Sequence, residues 1–390
     1  MLNTPAARID SLPPLYGGGG GMTPVAPTPP VTRDHQGPKI IVGNALAGDT
    51  IDVCDYLDVG DGVQLQAALT AAGVVPRKDV WLRPGTITVA TPLNVPTQVT
   101  LRGAGGVLTV LRNTPANRQV LIANVRALVT DLSISTQAPQ AGCVGTELLR
   151  VFGNATLARI RLQLSASAAG IAALETITAL IREDTSIANY TSVSLMNIEA
   201  VGYSFRRLGL AKDLVGIELT HFGADSLRSC NTLVDTSTML CDIGYDLRGP
   251  HIVSACESRL ASRIAATFSS EAGGRNAPVI SGSYFDTTAL TGTPQFGVVF
   301  ATGANASGLL DAKMTGCTVT TTSVDAASTG IALQGTGDGV IVDGCSVAGF
   351  ALGVDIAATQ INASMKGSIR GATAPVTDAS GSLLNEMRVV

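Results

Sequence analysis

Two stretches of the chain, 330–345 and 353–368, repeat one pattern at a fixed step of 23 residues. Gly330 aligns with Gly353, Leu333 with Ile356, Val342 with Met365, and Gly344 with Gly367. Both signatures in this repeat recur upstream. Glycine followed by apolar, any, apolar stands at Gly216-Ile217-Glu218-Leu219, Gly244-Tyr245-Asp246-Leu247, Gly297-Val298-Val299-Phe300, Gly330-Ile331-Ala332-Leu333 and Gly353-Val354-Asp355-Ile356. Glycine, small, any, apolar stands at Gly316-Cys317-Thr318-Val319 and Gly344-Cys345-Ser346-Val347, with Gly367-Ser368-Ile369 as a looser copy. The two signatures lie 14 residues apart in the last two copies and 19 apart in the copy before them, so loops vary while strands persist. A unit this short cannot enclose a core alone. Its apolar side must be covered by the next copy, as in a wound solenoid. Apolar-any-apolar is the alternation of a strand with one face inside. The eight glycines at 216, 244, 297, 316, 330, 344, 353 and 367 are read as the corners between faces, where Gly216, Gly244, Gly297, Gly316, Gly330, Gly344, Gly353 and Gly367 would allow sharp bends. The pattern predicts an all-β parallel β-helix. Residues 95–375 would supply about twelve coils at this repeat length.

Composition narrows the rest. Of 390 residues 45% are hydrophobic, 4% aromatic and only 14% charged, against about 25% charged in an average soluble protein. The aliphatic content excludes disorder of the chain as a whole, and no run of about 20 apolar residues suggests a spanning helix. A net charge of −4 with no basic run argues against nucleic acid as a partner. The seven cysteines form no C-x-x-C pair and are read as reduced thiols. Cys317 and Cys345 occupy equivalent repeat positions. The only histidines, His35, His221 and His251, lack metal-ligand spacing, so neither a metal nor a cofactor is expected. Met1 to Met22 shows no basic segment followed by an apolar one, which predicts a protein made in a cytoplasm and used there or in something assembled there.

Four regions follow. Residues 1–38 form a Pro/Gly-rich arm with Pro13, Pro14, Gly17, Pro24, Pro27, Pro29 and Pro30; such a segment is extended or flexible and suits anchoring. Residues 39–98 read as a cap of short strands around a helix over 63–72, with Asp61 as N-cap and Val63, Ala67 and Leu69 or Thr70 on one face. Residues 99–375 are the shaft and 376–390 a tail.

The cap carries a family resemblance. Asp58-Val59-Gly60-Asp61-Gly62, the helix, Val80-Trp81-Leu82-Arg83-Pro84-Gly85-Thr86, then Pro92-Leu93, Pro96 and Val99-Thr100-Leu101-Arg102-Gly103-Ala104-Gly105 resemble the opening of pectate-lyase-like right-handed parallel β-helix proteins. Bacteriophage tailspikes and related virion proteins are closest in style. The Asp-Asp-Thr often found after Gly-Asp-Gly is here Val63-Gln64-Leu65, and the usual aromatic after Gly-Thr is Ile87. The resemblance implies that the helix closes the open first coil, with Asp61, Trp81, Pro84 and Gly85 as cap residues and Trp81 packed on the helix. It further implies a structural virion protein of a tailed phage (tailspike, tail fibre, or head-mounted spike or decoration). Such a protein would be a homotrimer, joined to other virion proteins through residues 1–38 and contacting host-surface glycan, with no membrane partner.

The same fold also hosts glycan depolymerases, lyases or glycoside hydrolases, which need grouped carboxylates. Asp242, Asp246, Glu257 and Glu218 are the candidates, Glu218 standing one coil below Asp246. Outward carboxylates are ordinarily solvated, so the structural role is the expectation and the depolymerase the alternative. A bacterial surface adhesin is a third. The aromatic concentration Tyr190, Tyr203, Phe205 and Phe222, beside Arg206 and Arg207, is read as buried stacks rather than as a receptor patch.

Overall fold

A computed structural model describes residues 39–74, 79–114, 119–136, 147–164, 178–184, 192–220, 230–270, 278–288, 294–301, 309–322, 327–380 and 386–389. The anchoring arm, His35, Tyr190, His221 and Phe222 lie outside the described residues. The chain is a right-handed parallel β-helix: every described strand pairing is parallel, in long ladders. Among the described residues no helix is long and apolar enough to cross a membrane.

One coil shows the plan. Ile243–Arg248 lies on face one, His251–Ser254 on face two and Glu257–Ala261 on face three, and Ile264–Ser269 begins the next coil on face one. Face one stacks eleven strands, from Leu93–Val95 to Ala374–Asp378. The repeat holds at its core: Leu333 pairs with Ile356, and Val342 with Met365. Winding continues into the expected tail, because Ala374–Asp378 pairs with Leu352–Ile356 and Glu386–Val389 with Ser364–Arg370.

Inward positions form continuous columns. Leu149, Ile181, Ile217, Tyr245, Ala266, Val298, Ile331 and Val354 follow one another on successive coils, all buried. Each large aliphatic member contributes about 1.5–3 kcal/mol by leaving water. Tyr245 is accommodated because its hydroxyl donates to the Thr236 carbonyl at 2.6 Å. In the neighbouring column Phe268 stacks on Phe300, with ring centroids 5.6 Å apart.

The eight repeat glycines do two different jobs. Between faces two and three the corner is a single left-handed residue: Asp131, Arg159, Asn197, Asp235, Ala255, Gly282, Gly316 and Gly344, with φ from 50° to 62°. The following residue points inward, which accounts for the Gly-Cys-Thr-Val signature. Gly316 and Gly344 are corners as expected. Gly367 is not: Cys345, rather than Gly344, pairs with it, so the coil of Ser364–Arg370 lacks a residue at this corner. Gly216, Gly244, Gly297, Gly330 and Gly353 are also not corners. Each is the second residue of a face-one strand, or lies within it, and is a close-approach site. A Cβ at Gly330 would collide with the Val347 side chain across the interior and lie 2.6 Å from the Gly353 carbonyl oxygen.

The cap also departs from expectation. The helix is Val63–Val74 and buries Leu65, Ala68, Leu69 and Ala72, while Val63 is exposed. Asp61 accepts from the Val63 amide at 3.0 Å, but wholly buried Asp58 does most of the capping. Its Oδ1 takes the amides of Gly60, Asp61 and Gly62, and its Oδ2 that of Leu65 at 3.0 Å. Trp81 does not pack on the helix. In Asp79–Leu82 the buried residues are Val80 and Leu82, and the indole faces outward between Lys39 and Arg102, 3.4 Å and 5.0 Å from the ring centroid. Gly85 begins its strand at φ 140°, against the Asn44 side chain.

Gly330→Ala should lower stability by about 1–3 kcal/mol through overpacking. Gly316→Asn, a residue the corner column already uses at Asn197, should change it by less than about 1 kcal/mol. Thermal unfolding midpoints of the two variants test the distinction.

Candidate functional site: a charged strip on face one

The third position of the first signature points outward, and its stacking places side chains of successive coils one above another. Arg150, Arg182, Glu218 and Asp246 occupy it in order. Beyond them it carries Thr267, Val299, Ala332 and Asp355, so paired charge is confined to four coils. With Glu147, Glu183, Asp184, Thr220 and Arg248, the strip residues Arg150, Arg182 and Glu218 line a cleft of about 320 Å³.

The charges are interleaved. Arg150 reaches Glu147 at 2.7 Å and Asp184 at 3.3 Å, Arg182 reaches Glu218 at 3.2 Å, and Arg248 reaches Asp246 at 2.9 Å. Glu183 forms a buried wall, accepting from the Thr220 amide at 2.9 Å and the Asn231 side chain at 3.2 Å. His251 lies one coil above Asn231 and is buried. Burial pushes the Glu218 carboxyl above its ordinary value; Arg182 pulls it back and Asp246 adds to the rise. Glu218 and Asp246 spring from strands about 4.8 Å apart. Their side chains therefore leave the same outward face on adjacent coils.

The structure brings together two of the four candidate carboxylates and separates the others. Asp242 is wholly buried and away from the cleft. It accepts from the Ser204 hydroxyl at 2.5 Å, the Ser262 hydroxyl, and the amides of Phe205 at 2.7 Å, Leu214 at 2.9 Å and Arg206 at 3.3 Å. It fastens the 204–214 loop to the turn between faces three and one. Glu257 lies on face three, paired with Arg259 at 2.6 Å. Of the aromatic group, Phe205 is buried as expected and Tyr203 is exposed.

The arginines of the strip were not found in the sequence. Their coils carry the same phase, Leu148-Leu149-Arg150-Val151 and Leu180-Ile181-Arg182-Glu183, but with leucine where later coils have glycine. Apolar alternation alone, aligned at its third position, would have revealed them.

No protein family and no curated protein matches the chain in sequence. Solved structures do share its winding. The catalytic domain of a GH87 α-1,3-glucanase in complex with tetrasaccharides superposes with a TM-score of 0.52 at 11% identity, covering 93% of this chain and 70% of that one. The same kind of domain in complex with nigerose gives 0.51 at 10%, covering 93% and 69%. At such identities the likeness is one of fold.

Asp242→Ala would strand several buried donors and should cost about 3 kcal/mol or more, read from unfolding midpoints. Glu218 gives a pH signature. Its native carboxyl is raised, so the associated stability is complete below the ordinary value of 4.5 and is lost as pH rises through the native value. Glu218→Gln cannot ionise. Its midpoint relative to the unaltered chain should be more favourable at about pH 7 than at about pH 4.

Proposed function

We propose that the protein is a glycan-contacting β-helix spike, carried on a phage particle through residues 1–38, with the strip Arg150–Arg182–Glu218–Asp246 as its contact surface. The strip is the observation that carries the reading. Four successive rungs place two guanidinium groups and two carboxylates in line, the first three of them along a cleft, a spacing that can meet the hydroxyls of consecutive sugars. The glucanase domains that share the winding hold saccharides. The composition of the arm supports a segment that orders on its binding partner.

A second reading, glycan hydrolysis, is favoured by one specific feature, the raised Glu218 carboxyl beside Asp246. Glu218 would give its proton to the glycosidic oxygen while the Asp246 carboxylate attacks the anomeric carbon. Water, deprotonated by Glu218, would then release the sugar from Asp246 and restore both groups.

Purified protein should bind host-surface polysaccharide, and Arg182→Ala should weaken that binding about tenfold, a loss of about 1.4 kcal/mol. Failure to bind would remove the spike reading. Release of reducing ends, lowered about 10²–10⁴-fold in Glu218→Gln, would establish hydrolysis; binding without release would leave the spike reading alone. Deleting residues 1–38 should abolish incorporation into particles while leaving the shaft's unfolding midpoint unchanged.

A further inference from the structure

Face three carries a separate cleft of about 560 Å³, lined by Met239, Glu257, Arg259, Leu260, Tyr284 and Asp286. Its backbone is unusual. Leu240, just past Ser237–Met239, and Leu260, within Glu257–Ala261, both adopt left-handed conformations, φ 59° and 56°. A leucine has no polar side chain to offset that conformation, which costs about 1–2 kcal/mol per residue. Strain of this kind persists only where the surroundings impose it, and it collects at ligand sites. The pairing register also slips between Ser258 and Ala261. Such irregularities re-aim side chains, here those of Arg259 and Leu260 at the rim.

The side chains match one kind of ligand. Among the described residues Tyr284 is the only aromatic at an outward position of face three, between Glu257 below and Thr318 above. With Met239 and Leu260 it supplies the apolar part of the lining. Polar groups are fixed around it. The Tyr284 hydroxyl lies 3.1 Å from Thr320 Oγ1, which donates to Asp286 Oδ1 at 3.1 Å, while the Leu260 amide is 3.4 Å from Asp286 Oδ2. Glu257 holds Arg259 at 2.6 Å. Burial raises the Asp286 carboxyl above its ordinary value, while Thr320 and the Leu260 amide pull it back. An aromatic floor rimmed by planar donors and acceptors fits a pyranose ring that has an apolar C–H face and equatorial hydroxyls. A polyanion would meet two carboxylates against one guanidinium.

We propose that this cleft is a second saccharide site, taking one neutral pyranose unit over the Tyr284 ring with its hydroxyls held by Glu257, Arg259 and Asp286. The proposal rests on the glycan-contact reading but concerns a different face from the charged strip. The test uses the full chain and three neutral probes (maltotriose, cellotriose and chitotriose), with affinity from titration calorimetry and ligand contacts from saturation-transfer NMR. At least one probe should bind, at least tenfold more weakly to Tyr284→Ala and Asp286→Asn. Binding should stay within twofold for Tyr284→Phe, which keeps the ring. Thermal unfolding of each variant separates loss of binding from loss of fold. Unchanged affinity in a folded Tyr284→Ala, or no binding of any probe, overturns the proposal. Loss of trisaccharide binding confined to Arg182→Ala would place the sugar on face one, sinking this site and sparing the glycan reading. Failure of host polysaccharide to bind as well would sink both.

Discussion

Everything in this molecule depends on parallel pairing in register. A single coil has an apolar lining and unpaired backbone groups on both edges, and only the next coil can cover them. The requirement is local and repeated, so each inward column must remain apolar from coil to coil, while outward positions escape it. Among the described residues, the first face-one strand, Leu93–Val95, has no strand beneath it. The helix Val63–Val74 lays Leu65, Ala68, Leu69 and Ala72 there instead, and the buried Asp58 carboxylate gathers the amides that start it.

The winding was legible because this constraint writes itself into the sequence as a period. The 23-residue step placed Leu333 against Ile356, and that pairing is present. The meaning of the glycines was less legible. The same residue type answers to a left-handed corner at Gly316 and to a neighbour's approach at Gly330, and only the second depends on Val347 from another face. Interior crowding between strands some 17 residues apart leaves no mark on local pattern. Trp81 illustrates a related limit. A lone tryptophan beside a helix invites a packing role, yet strict alternation already assigned Val80 and Leu82 to the interior and the indole to the outside.

The candidate site divides along the same line. Stacking of Glu218 and Asp246 followed from their shared repeat position. Asp242, four residues from Asp246, looked like part of one acidic group. It instead turns inward, where Ser204, Ser262 and backbone amides replace water around it. Proximity along a strand says little about proximity in a solenoid, whose neighbours are a coil away. Asp286, which the sequence did not single out, becomes notable only when Leu260 and Thr320 arrive from adjacent coils.

The corner between faces two and three tolerates aspartate, arginine, asparagine, alanine and glycine along its length, and the coil of Ser364–Arg370 omits a residue there altogether. It therefore works as an expansion joint. A residue gained or lost at that point is absorbed by the bend and never reaches the lining on either side. Insertions and deletions at this joint could shift the face-three surface relative to the face-two surface over generations, giving the shaft new exterior combinations without repacking its interior.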